Sequence, residues 1–323
     1  MTDRAVIPVL ISSAGRRGAL VKLFRQAGGD TSRVVVHGCD MRPELSSACL
    51  LADHTHQVPR CSDPGFIDRI EEIVRQNAIR LIVPTIDTEL AVYAQAAGRL
   101  EAAGARVHVS PPDVIRVARD KMRTMKVLAA SGVDVPPTCS EAELRGNPSA
   151  LGWPVFGKPV GGSASRGLGI YRSERDLPDS FPEPMMFQPV LSGPEYTVNI
   201  FIDASGALRC AVPHLRIQIR AGEVEKGRTV RKESLRLLAE SVQAALPDAR
   251  GVLCFQVIDD PQRGPKIIEI NARFGGGYPL AHHAGGRFAD WLIEELTGQV
   301  STANDDWRDA VTMLRYDDAV FAG

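Results

Sequence analysis

The 323 residues are enough for two or three sub-domains around a sizeable core. Lysine plus arginine (38) balances aspartate plus glutamate (39), so neither nucleic acid nor an anionic membrane is the expected partner. The six cysteines (Cys39, Cys49, Cys61, Cys139, Cys210 and Cys254) show no paired spacing, which argues against a zinc site or disulfide framework and for reduced thiols in a cytoplasmic setting.

The apolar stretch 6–11 contains Pro8 and runs into Gly15-Arg16-Arg17-Gly18, so it reads as a first strand, too short for a signal sequence. No stretch is long and apolar enough to span a membrane. Strand patterns over 6–12, 34–39, 81–84 and 107–109 alternate with helix patterns over 19–27, 66–77 and 89–103. That alternation predicts a parallel sheet with right-handed crossovers. Ser12-Ser13-Ala14-Gly15 follows the first strand, where a doubly wound sheet places its ligand crevice.

One helix is expected over 114–131, ended by Val135-Pro136-Pro137. The segment 153–189 holds a strand, a glycine-rich loop and further short strands. Longer strands follow at 196–202 and 208–212, then a helix over 232–245 and a hairpin pairing 252–258 with 266–271. Three consecutive α/β units account for this order, with no repeats and no low-complexity tract.

The hairpin carries the strongest chemical signal. Residues two apart on a strand share a face, so Glu269 and Asn271 point one way and Ile268 and Ile270 into the core. If the hairpin is symmetric about the turn 259–265, Gln256 lies opposite Glu269. Three oxygen-bearing side chains on one face suit a hard ion such as magnesium, whose shell phosphate oxygens complete. An ordinary solvated strand face is the plainer alternative for Glu269 or Asn271 taken alone.

Two further segments point the same way. Phe156-Gly157-Lys158-Pro159 ends a strand on a lysine, and Val160 to Gly169 follows as a glycine- and serine-rich loop able to turn N–H groups toward phosphate. It is neither a Walker loop nor a dinucleotide fingerprint, and a surface hairpin accounts for its composition equally well. Met185 to Glu195 reads as an apolar strand, a turn and an acid, suited to an adenine hinge or to a simple connector.

In this order the three features resemble the ATP-grasp superfamily. Gly251…Gln256 followed by Glu269-Ile270-Asn271-Ala272-Arg273 is similar to one synthetase half of the carbamoyl-phosphate synthase large subunit and its stand-alone carboxylate–amine ligase relatives. The resemblance reaches from the N-terminal unit to about Gly298. It implies an α/β, ATP-grasp fold: an N-terminal Rossmann-like (pre-ATP-grasp) domain over 1–113, a lid region with its preceding helix over 114–189, and a C-terminal α+β subdomain over 190–323.

The same resemblance implies ATP and two magnesium (or manganese) ions held by Gln256, Glu269 and Asn271, with Arg273 facing the γ-phosphate or an acyl phosphate. Lys121 and Lys158 would reach the nucleotide phosphates, Gly161, Gly162, Ser163 and Gly167 would form the phosphate lid, Gln188 and Val190 the adenine hinge, and Glu195 would take the ribose. Gln188 stands where an acid is common. Two departures, Cys254 in place of asparagine and Phe274-Gly275-Gly276-Gly277-Tyr278 in place of a second arginine, argue against carbamoyl phosphate synthesis and for a larger carboxylate.

The implied activity is a ligase joining a small-molecule carboxylate to an amine through an acyl phosphate, releasing ADP and phosphate; a homodimer is compatible with it. A carbamoyl-phosphate-synthase-like enzyme and a non-catalytic ATP sensor stand as alternatives, and a dehydrogenase using Asp40 is a weaker one. For the substrates, Arg16 or Arg17 could hold a carboxylate, or simply begin a surface helix. Asp87 and Glu89 could face an ammonium, with a helix cap the plainer role for Asp87. Arg216, Arg220 and Lys226 could face the cleft or solvate a surface. His282-His283 reads as packing and solvent contact, since adjacent helical residues diverge.

Overall fold

The computed structural model describes residues 5–29, 32–161 and 167–322. Apolar runs at the start of the chain form β1 (Ala5–Ser12), α1 (Gly18–Gln26), β2 (Ser32–Asp40), α2 (Ser47–Leu51), β3 (His54–Gln57), α3 (Phe66–Asn77), β4 (Leu81–Pro84), α4 (Asp87–Ala102) and β5 (Arg106–Val107). The strands make one parallel sheet in the order β3-β2-β1-β4-β5. Strand periodicity sends Ile7, Val9 and Ile11 into one core and Leu10 into another on the opposite face. The short α2 and β3 escaped the sequence reading; β3, His-Thr-His-Gln, has no apolar alternation to announce it.

The helix expected over 114–131 is two helices, α5 (Pro112–Arg119) and α6 (Lys121–Ala130). Asp120 breaks the run in extended conformation (φ −112°, ψ 104°) and its side chain caps α6 by accepting from the Arg123 N–H at 2.9 Å. The break buries Lys121 at the start of α6, where its own N–H bonds Val160 O at 3.1 Å. A small antiparallel sheet follows from β6 (Cys139–Ser140), α7 (Glu141–Gly146), β7 (Val155–Pro159), β8 (Gly169–Tyr171) and β9 (Met185–Pro189), in the order β6-β9-β7-β8.

The last part comprises β10 (Glu195–Ile202), β11 (Leu208–Arg220), β12 (Glu223–Thr229), α8 (Glu233–Ala245), β13 (Gly251–Asp260), β14 (Gly264–Asn271), α9 (Tyr278–Ala284), α10 (Phe288–Thr297) and β15 (Thr312–Leu314). Its antiparallel sheet runs β14-β13-β10-β11-β12-β15. One face, with Val198, Ile200, Leu253 and Phe255, packs on α8 residues such as Leu235 and Val242. The other, with Phe201 and Val212, shares a core with Trp291 of α10 and with Val9 and Ile11 of the N-terminal sheet.

The strand expected over 208–212 is more than twice that long. Its outer part, Arg216 to Arg220, alternates polar residues with isoleucine and turns back into β12 through Ala221 (φ +51°) and Gly222 (φ +79°). Two positive φ values in a two-residue loop define the turn whose twist matches paired strands.

Candidate active site

The β13–β14 hairpin brings Gln256 opposite Glu269, in the register expected. Symmetry fails one step further on: Val257 pairs with Ile267, so Ile268 is an extra residue, a β-bulge. The bulge corrects one expectation. Ile267 and Ile270, not Ile268 and Ile270, enter the core, while Ile268 lines the cavity beside Glu269.

The carbonyl thrown out of the ladder at Ile268 accepts from Lys158 Nζ at 2.9 Å. Lys158, next to last in β7, is 6% exposed, and this bond aims it from the small sheet at the hairpin of the large one. Burial pushes its ammonium down to about 8, with Glu269 opposing and Lys121 assisting.

Around these groups lies a cavity of about 700 Å³, a size suited to a cofactor or drug-sized ligand. Gln256, Glu269, Asn271 and Arg273 form its floor; Lys121 and Lys158 line it with Gln188, Val190 and Glu195. Gln188 is 3% exposed and donates to Thr138 Oγ1 at 2.9 Å. Glu195 pairs with Arg216 at 3.0 Å, and burial raises its carboxyl pKa against that pairing. Arg216 thus faces the cleft; Arg220, pairing with Asp317 and Glu225, does not line this cavity. Gly161 and Gly167 do not line it either, while Gly162 and Ser163 lie outside the described residues.

Arg273 crosses to the N-terminal sheet. Its Nη2 donates to Asp87 Oδ2 at 2.7 Å and to Asn271 Oδ1 at 3.1 Å, and its Nη1 to Phe274 O at 3.2 Å. Burial is the largest influence and opposes its charge, but Asp87, Cys254 and Glu269 together outweigh it and the pKa rises. Asp87 is the first residue of α4, and Ile86, not Asp87, stands at the cap. Glu89 also departs from expectation. It is fully buried and accepts from Ser12 Oγ (2.7 Å), Ser13 Oγ (2.8 Å) and the Thr85 and Ile86 N–H groups (2.7 and 3.2 Å), so it holds the β1 and β4 ends together and presents nothing to the cavity. Burial, countered by those bonds, raises its pKa.

One residue not singled out by sequence, Glu223, completes the wall. Glu223, first in β12, pairs with Arg17 at 3.3 Å and with Arg315 at 3.1 Å. Burial works against the carboxylate, yet the two arginines hold its pKa below the usual range. Gly276 makes this possible, because a Cβ there would stand 2.6 Å from the Glu223 carboxyl carbon. Arg315 also donates to Gly276 O. The signal for Glu223 was available in the period-two alternation of 215–220 followed by a glycine turn. His282 meets the Tyr278 hydroxyl at 2.9 Å, in keeping with a packing role.

This arrangement, a nucleotide-sized cavity between two antiparallel sheets with an oxygen-bearing hairpin below and buried lysines on either side, is that of the ATP-grasp superfamily, to which the chain belongs: the family described as "ATP-grasp domain" matches residues 118–277. The preceding residues 9–108 match the family described as "PylC-like, N-terminal domain". No functionally curated protein matches the chain. Among solved structures, N5-carboxyaminoimidazole ribonucleotide synthetase of Thermotoga maritima is 18% identical with a TM-score of 0.66, covering 93% of this chain and 78% of that one. L-amino acid ligase of Bacillus licheniformis is 17% identical with a TM-score of 0.71, covering 96% and 79%. Pyruvate carboxylase of Rhizobium etli is 19% identical with a TM-score of 0.73; 92% of this chain is covered, but the chain spans only 29% of that protein. At these identities the likeness is one of fold.

Proposed function

We propose that the protein is an ATP-dependent carboxylate–amine ligase that activates the carboxylate as an acyl phosphate and releases ADP and phosphate. The observation that carries this reading is the meeting of Gln256, Glu269 and Asn271 with Lys158, Lys121 and Arg273 around one cavity. A single carboxylate and two amides are oxygen donors that fit a hard ion but cannot fill its six positions, so phosphate oxygens and water would supply the rest. Gln256, Glu269 and Asn271 would hold two magnesium ions, which when bound neutralise charge on the transferring phosphoryl group. The biotin carboxylase domain of Hydrogenobacter thermophilus, a relative in fold, was solved with MgADP.

The chain's own side chains then divide the work. Glu195 and Gln188 lie at the end of the cavity formed by β9 and β10, suited to ribose and adenine. Lys158 and Lys121 supply positive charge toward the phosphates, and the bulge at Ile268 fixes where Lys158 points. Arg273, steadied by Asp87, faces the phosphoryl group in flight, and Arg16 or Arg17 holds the carboxylate for in-line attack. The arrangement needs positioning and preset charge more than side-chain proton transfer.

Magnesium-dependent phosphate release from ATP tests the reading, measured against pools of amino acids and other carboxylates, each with and without an amine pool. ADP as product, requiring a carboxylate and lost at least about a hundredfold in Glu269→Ala, is the expected result. AMP with pyrophosphate, or substantial activity in Glu269→Ala, would refute it.

A further inference from the structure

A second cavity of about 500 Å³ adjoins the first, between the start of α1, the loop 274–276, the start of β12 and the segment 314–320. Among the described residues, three line both: Arg16, Arg17 and Glu223. At this threshold the Arg17–Glu223 pair (3.3 Å) is braced from the far side by Arg315, bonded to both Glu223 and Gly276 O. The threshold lies at the phosphate end, since Arg17 is close enough to Arg273 for the two cations to repel. A molecule in the second cavity therefore reaches the phosphoryl-transfer point without passing the nucleotide.

The lining of this second space sorts by chemistry. Leu20, Leu51, Phe274 and Tyr278 give it an apolar side. Arg16 and Lys22 add two cations that form no ion pair with any described residue, and Glu223 places a carboxylate at the threshold. An α-amino acid satisfies all three: ammonium on Glu223, carboxylate toward Arg16 and Lys22, which leaves Arg17 for the carboxylate to be activated, and an apolar side chain along the floor.

We infer that the second cavity is the acceptor site of the reaction, that it takes an α-amino acid with an apolar side chain, and that Glu223 receives its amino group. This rests on the ligase reading above. The ammonium, held by Glu223, releases one proton to solvent. The free amine then attacks the acyl carbon, the C–N bond forms as the C–O bond to phosphate breaks, and the departing phosphate takes the amine's second proton.

Hydroxylamine, small and uncharged near neutrality, separates the two claims because it traps an acyl phosphate as hydroxamate without needing a shaped acceptor site. With the carboxylate found above, hydroxamate formation and amide formation with each proteinogenic amino acid are measured in the wild type, Glu223→Gln and Ala19→Trp. Ala19 is an exposed α1 residue on the wall of the second cavity alone. Ala19→Trp is expected to keep hydroxamate formation within about threefold, and KM for the amino acid is expected to rise about tenfold or more in both variants. Absence of hydroxamate in the wild type would sink the ligase reading itself. Hydroxamate with no amino acid accepted, or with a non-amino-acid amine preferred, would overturn the acceptor class. An unchanged amino-acid KM in both variants would overturn the site. Should Glu223→Gln lose both activities, Ala19→Trp decides on the same criterion.

Discussion

Lys158 is held in its charged form at a cost to folding, and replacing it with methionine exposes that cost. Its folded pKa of about 8 lies below the ordinary 10.5. The unfolded chain therefore binds the proton more tightly, and the penalty is complete below the folded value and fades as pH rises through the unfolded one. At about 1.4 kcal/mol per unit, the penalty comes to roughly 3 kcal/mol at pH 7 and roughly 2 kcal/mol at pH 9. Methionine removes the charge and also the bond to Ile268 O, a loss of about 1.5–3 kcal/mol that does not vary while the lysine stays charged. The net stability of the variant at pH 7 is thus near that of the wild type, but the difference between them carries a sign. Relative to wild type, Lys158→Met should lose about 1 kcal/mol between pH 7 and pH 9, read from urea midpoints at the two pH values. It should also bind ATP far more weakly by calorimetry. A stability difference that stays flat, or that grows in the variant's favour with pH, would refute the burial argument.

Asp87→Asn strands the largely buried Arg273 guanidinium, and about 3 kcal/mol of stability should go with it; a double-mutant cycle with Arg273→Met should recover most of that, showing one shared contact. Glu89→Ala leaves four donors unsatisfied inside the N-terminal sheet, so the melting midpoint should fall sharply, by the equivalent of about 3–5 kcal/mol, even though no ligand contact is lost. Gly276→Ala pushes a methyl against the Glu223 carboxylate; amide formation should fall while ATP affinity, measured by calorimetry, stays within about twofold.

Much of this was written in the sequence, and what was not has physical causes. Most of the alternating strands and helices of the N-terminal unit could be read because β1, β2 and β4 are buried on both faces and α1, α3 and α4 on one, which leaves a clear period. The facing of Gln256 and Glu269 followed from turn symmetry over a short span. The bulge at Ile268 did not. It depends on partners far away in the chain, Lys158 for the freed carbonyl and Asp134 O for the Ile267 N–H. Asp120 is likewise a local helix breaker only because its side chain finds the Arg123 N–H. Asp87 and Glu89 looked equivalent as acids on one helix start, yet one reaches across to Arg273 and the other is consumed by Ser12, Ser13 and the β4 end. Only the packing of β1 against β4 tells them apart.

The shared core of Val9, Phe201 and Trp291 has a consequence during synthesis. The N-terminal sheet has α1 and α2 on this face but cannot complete its cover until α10 has been made, about two hundred residues after β4. At about 5–20 residues per second, the nascent strands β1 and β4 wait on the order of a quarter-minute to a minute with apolar surface uncovered. Contacts this distant along the chain also slow folding itself. A ribosome that pauses late, or a nick between β14 and α10, would thus release a chain whose first hundred residues have every strand they need and still cannot close.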